Sequence, residues 1–139
     1  MRLQFAIASQ SAAVDRFTNR LSLFNILEAI QSPRFPVFLP EAVVVFVLRR
    51  EASDIEPFDA EITLTLGGNR IGQSRMRVTI GDSPHVRLIA NFQNLPILAV
   101  GDLEFTIQLP NVEPIRTSIP VIQTPVVQVP IVPVQAAPR

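Results

Sequence analysis

The run Val43-Val44-Val45-Phe46-Val47-Leu48, with Pro40 before it and Arg49 and Arg50 after it, limits what this chain can fold into more than any other stretch. Successive β-branched residues disfavour a helix, and the length suits a strand. Side chains alternate across a strand, so a run that is apolar at both parities needs cover on both faces. A core must lie on one side and a second lid on the other. The Val- and Ile-rich end of the chain is one candidate for that lid.

Around this run the apolar residues recur with period two. Leu3, Phe5 and Ile7 alternate with Gln4, Ala6 and Ala8, which reads as a first strand and not as the evenly apolar core of a secretion signal. Ile62, Leu64 and Leu66 alternate with Glu61, Thr63 and Thr65, and Met76, Val78 and Ile80 alternate with Arg75, Arg77 and Thr79. Gly67, Gly68 and Asn69 between the two segments predict a β-hairpin. A turn at Gly81, Asp82, Ser83 and Pro84 precedes a strand over residues 85–92. Residues 94–102 read as a connection, residues 103–109 as a strand with Leu103, Phe105, Ile107 and Leu109 on one face, and residues 114–121 as a last strand. Short strands with regular turns predict an antiparallel β-sandwich of about 7–8 strands, C2-like or immunoglobulin-like in architecture.

Residues 11–30 fit two descriptions. Val14, Phe17, Leu21, Phe24, Leu27 and Ile30 recur at helical spacing, whereas Thr18 and Asn19 favour a turn between two strands. The segments FAIAS, VDRFTNRLSLFNILEAI, FPVFLPEAVVVFVLRR and LPILAVGDLEFTIQL together resemble a family of short bacterial β-sandwich proteins known only as a domain of unknown function. The likeness covers roughly residues 3–122 and rests most on TNRLSLFNILE. It implies a hairpin into the Leu-Ser-Leu-Phe-Asn strand, and it implies no activity, ligand or catalytic residue.

Candidates for chemistry are few. The chain has no Cys and a single histidine, His85, so a zinc site of the usual nitrogen and sulfur type cannot be assembled within one copy. A triad of His85 with Ser83 and Asp82 would need sequence neighbours at a turn to reach catalytic geometry, and an exposed or capping His85 is the expectation. Acidic residues crowd the loop 51–61, where Asp54, Glu56 and Asp59 are the candidates for a hard cation; a solvated loop is the simpler reading. Arg75 and Arg77 share a strand face that Arg87 could join as a small-ligand platform. Pairing with Glu61 across the hairpin is the simpler role, and the absence of Trp and Tyr argues against a nucleic-acid stacking surface. The 12 basic and 12 acidic residues cancel, so no global field draws the chain to nucleic acid or membrane. No apolar run approaches the ~20 residues of a membrane helix, and the expected location is cytoplasmic.

The sandwich is expected over residues 1–118, followed by a Pro- and Val-rich arm over 119–139. Prolines recur through the arm, with Val126, Val127, Val129, Ile131 and Val132 among them, so an edge strand or a polyproline segment is expected and a central strand is not. Burying each such side chain gains ~1.5 kcal/mol or more, against ~1–2 kcal/mol of backbone entropy per ordered residue. Docking on a neighbouring copy or another protein therefore wins only where burial is nearly complete. The functional expectation is a non-enzymatic structural or protein-interaction module, self-associating or docking through sheet edges and the arm, with no cofactor. The alternative is a small-ligand or cation-binding sandwich using the acidic loop or the Arg75, Arg77 and Arg87 face.

Overall fold

The computed structural model describes residues 1–51, 57–79 and 81–125. Among them the strands are β1 (Arg2–Val14), β2 (Leu21–Ile26), β3 (Ile30–Ser32), β4 (Val37–Arg49), β5 (Phe58–Leu66), β6 (Asn69–Val78), β7 (His85–Ile97), β8 (Gly101–Gln108) and β9 (Ile115–Gln123). They form a four-stranded sheet in the order β2-β1-β4-β7 and a five-stranded sheet in the order β3-β9-β8-β5-β6. Among the described residues no helix is long and apolar enough to cross a membrane.

The core follows from the alternation. Ile62 and Leu64 from β5, and Leu103, Phe105 and Ile107 from β8, meet Val44, Phe46 and Leu48 from β4 and Leu88 and Ala90 from β7 in one cluster between the sheets. Nearly all of these side chains are fully buried, and each large one contributes ~1.5–3 kcal/mol relative to exposure. The β5–β6 hairpin closes through Gly67 and Gly68 at φ 57 and 84, positions that a tight two-residue turn reserves for residues tolerating positive φ.

The second face of the valine run is covered by the first hairpin. Residues Arg2–Ser9 of β1 pair with β4, whereas Ser9–Val14 pair with β2, so β1 leaves β4 at Ser9, a fully buried residue. From there the β1–β2 hairpin leans over the outer side of β4 and β7. Ala12, Leu21 and Leu23 pack with Ile89 against Val43, Val45 and Val47, which are 2%, 0% and 9% exposed. Phe24 and Ile26, of opposite parity on β2, point away and are about half exposed. The lid identified in the structure is thus local in sequence; the arm residues Val126, Val127, Val129, Ile131 and Val132 lie outside the described residues.

The two readings of residues 11–30 resolve in favour of strands. The residues of the helical stripe do not share a face: Phe17 is 94% exposed, Val14 and Phe24 are exposed, and Ile30 is buried. Nine strands stand among the described residues against the 7–8 expected, because the short β3 adds to the second sheet, and it pairs with β9 in parallel. β4 begins before Pro40 and β7 continues through Pro96, where a connection was expected. Both strands change parity at the same level. Val37 and Leu39 face the core below Pro40, and Ala42, Val44 and Phe46 face it above. Asn94 at φ 53 makes the matching jog in β7, between Phe92 and Leu95. Local irregularities of this kind re-aim side chains while the strand pairing continues. β9 runs to Gln123 with Ile119 and Val121 buried, past the residue-118 boundary expected from the sequence.

Candidate functional site

Two features of the surface stand out from the residues upward: the turn that ends the β1–β2 hairpin, and a cleft where β5 begins and β8 ends. The turn is Asp15-Arg16-Phe17-Thr18-Asn19-Arg20. Asp is suited to it because a short carboxylate can accept from amides just ahead in the chain. Asp15 Oδ1 accepts from the Phe17 and Thr18 amides, both at 2.8 Å. The Asn19 amide donates to the Asp15 carbonyl, and the Asp15 amide to the Arg20 carbonyl, both at 2.9 Å. Asn19 sits at φ 57, a conformation its side chain tolerates better than most. The Thr18 amide first, and the Phe17 amide next, hold the Asp15 carboxyl below its ordinary value.

The turn is also tied to the body of the molecule. Arg87 on β7 donates from Nη2 to the Asn19 carbonyl at 3.1 Å and from Nη1 to Asn19 Oδ1 at 3.4 Å. Phe17 stands 94% exposed on this fixed turn. Arg16 and Arg20 flank it, both exposed, and among the described residues neither guanidinium has an ion-pair partner.

The cleft has a volume of about 920 Å³. Phe58, Leu109 and Val112 give it an apolar lining together with Pro57 and Pro110, and Glu51, Asp59 and Glu113 bring carboxylates to it. Phe58 and Leu109 are core residues, 8% and 3% exposed, so the cleft opens onto the end of the sandwich. Two cations stand there, Arg77 at 3.4 Å from Asp59 and the Met1 ammonium at 3.9 Å from Glu51 Oε2.

The residues singled out from the sequence are dispersed. Arg75 and Arg77 do share the outer face of β6. Arg75 Nε lies 3.1 Å from Glu61 Oε2, Gln73 donates to Glu61 Oε1 at 2.7 Å, and Arg77 reaches Asp59, so this face is a ladder of paired charges. Arg87 does not join them. β7 belongs to the other sheet, and its guanidinium serves the hairpin turn. Of the acidic loop, Asp54 and Glu56 lie outside the described residues, and Asp59 faces Arg77. Asp82, Ser83 and His85 are all exposed, and Ser83 Oγ accepts from the His85 backbone amide at 3.2 Å, the bond of a simple turn.

The sequence offered the turn, on Thr18 and Asn19, as one of two descriptions of residues 11–30, but neither the turn nor the cleft was singled out as a site. The turn had a signal, Asp15 followed at four residues by Asn19 with an aromatic between them. The cleft had none, because Phe58 and Leu109–Glu113 are distant in sequence and meet only when β5 pairs with β8.

A second exposed apolar surface lies at the far end of β4 and β7. Phe38 faces Pro96 across the ladder and is 60% exposed, and Leu98 beyond it is 62% exposed. Val100 and Ile122, at the adjoining ends of the β7–β8 connection and β9, are also exposed.

Residues 4–122 match the model of a family of unknown function (DUF6941). The match spans most of the chain, and the chain belongs to that family. No curated protein and no solved structure matches it.

Proposed function

For a member of this family, we propose a cytoplasmic, non-enzymatic module of protein association, built on a sandwich of the C2-like or immunoglobulin-like kind, which associates with itself or with other proteins through its sheet edges and C-terminal arm. The observation that carries this reading is the placing of Phe17, held 94% exposed on a turn fixed by its own hydrogen bonds and by Arg87. An exposed aromatic on a preorganised turn loses little freedom when a partner covers it, which is the economy of an interaction surface.

The edge strand β2 adds to this. Among the described residues it pairs only with β1, its sequence LSLFNI carries neither charge nor proline, and Phe24 and Ile26 are exposed on it. Natural edges that avoid pairing with other chains are usually short, charged or interrupted by proline. The opposite edge, β6, carries Arg70, Arg75 and Arg77. Just after β9 the Thr124 amide donates to the Ser32 carbonyl of β3, close to the apolar end that carries Ile122.

Light scattering over a concentration series tests this reading, comparing the full chain with one ending at Pro125. The expected result is a mass above the 15.4 kDa of one copy that rises with concentration and falls on truncation. A mass of one copy at every concentration, with no partner protein bound, would overturn it.

A further inference from the structure

The hairpin turn and the end cleft complement one another, and every copy of the chain carries both. The turn offers one phenyl ring between two guanidiniums without ion-pair partners among the described residues. The cleft offers an apolar floor of Phe58, Leu109 and Val112 and three carboxylates, of which Asp59 pairs with Arg77 and Glu51 with the Met1 ammonium, while Glu113 has no ion-pair partner among the described residues. Its volume of about 920 Å³ is ample for a phenyl side chain with a second group beside it.

The turn cannot enter the cleft of its own chain while it is bound to β7. Asn19 is held by Arg87 on the outer side of the four-stranded sheet, whereas the cleft lies where β5 begins and β8 ends, in the five-stranded sheet. The occupant with matching chemistry is a second copy. We propose that Phe17 of one copy seats in the Phe58, Leu109 and Val112 cleft of another, with the flanking Arg16 and Arg20 drawn to the Glu113 carboxylate. The contact rests on the self-association reading above and names its two surfaces.

The geometry is head to tail. A contact between two different patches either closes into a ring, the two-copy ring being a reciprocal exchange, or propagates. A patch built on one aromatic and two arginines is smaller than the ~1,200 Å² of a standard interface, so the contact belongs to the weak, transient class. Its charged rim makes it weaker in high salt.

Sedimentation equilibrium of the full chain, up to millimolar concentration, reads the contact. Phe17→Ser and Glu113→Arg both change exposed side chains, and unchanged melting curves will show that each variant is folded. Each variant alone should raise the apparent Kd at least about tenfold, the size expected for a central aromatic or a reversed charge. Mixed in equal amounts they should recover a one-to-one dimer and nothing larger, since the first keeps a sound cleft and the second a sound turn. Arg16→Glu combined with Glu113→Arg in one chain should restore part of the loss.

If the full chain associates and neither variant alters it, the seat is refuted while self-association stands. If the full chain remains a single copy at every concentration, both fall. A mixture that stays monomeric refutes the pairing of these two surfaces. Binding of the unmodified chain to phosphatidylserine vesicles that is lost in Phe17→Ser, without any effect of Glu113→Arg on mass, would assign the turn to a membrane and overturn the proposal.

Discussion

Val45→Ala probes the hairpin lid directly. Val45 lies on the side of β4 that faces away from the main core, yet it is 0% exposed because Leu21, Leu23 and Ala12 cover it together with Val43 and Val47. Removing two buried carbons forfeits ~1.6 kcal/mol of transfer free energy at ~0.8 kcal/mol each. The residual cavity raises this to about 2–3 kcal/mol. Val44 has the same side chain and the same burial but faces the main core, so Val44→Ala should cost a similar amount. For a domain of this size that is a fall in Tm of roughly 8–12 °C, read by circular dichroism alongside urea unfolding. The double variant with Leu23→Ala should depart from additivity by ~0.5 kcal/mol or more, since the two side chains share one cluster. A cost for Val45→Ala under about 0.5 kcal/mol, beside a full cost for Val44→Ala, would refute the lid.

Arg87→Ala removes both hydrogen bonds to Asn19, and amide exchange in Leu21–Leu23 should quicken by an amount equivalent to about 1–2 kcal/mol; unaltered protection would show that the apolar contacts alone hold the hairpin. The Asp15 carboxyl is depressed in the folded chain, so its contribution to the turn is present above the ordinary carboxylate value and is lost as pH falls through the lower folded one. A carbon-detected titration of Asp15 should give a midpoint below the ordinary value, and a midpoint at or above it would contradict the amide bonds. Gly68→Val should cost roughly 1–3 kcal/mol because φ is 84 there, whereas Gly81→Val, with open space around it and no such φ, should be nearly neutral.

The parts of the fold visible in the sequence were those governed by local pattern. The valine strand follows from its unbroken β-branched run, and the Gly67-Gly68 hairpin and the Leu103, Phe105, Ile107 and Leu109 face follow from period-two patterning that burial confirms. The hairpin at residues 11–30 needed the family resemblance, since its apolar residues also fit a helix. What patterning could not show was the lid: Leu21 and Leu23 on one strand, and Val43, Val45 and Val47 on another, meet only because β1 leaves β4 at Ser9 and bends. Pro40 and Pro96 misled for a related reason. Proline marks a strand end when the ladder needs its amide, but here β4 and β7 jog together and the strands continue. The Glu61 pairing with Arg75 followed from strand parity, whereas the separation of Arg87 depended on which sheet β7 joins, a long-range choice. Phe17 was one apolar residue among several in a helical stripe, and its exposure became visible only once Asp15 and Asn19 had formed the turn.

The most direct test of what Phe17 does is a photo-crosslinking amino acid in its place, with the labelled chain mixed with an isotopically heavy copy. Crosslinked peptides that join residue 17 of the light chain to residues 109–113 of the heavy one, and that disappear with Glu113→Arg, are the expected result. Crosslinks confined to the same chain, or none in a sample shown to be associated, would contradict the seating of the turn in the cleft.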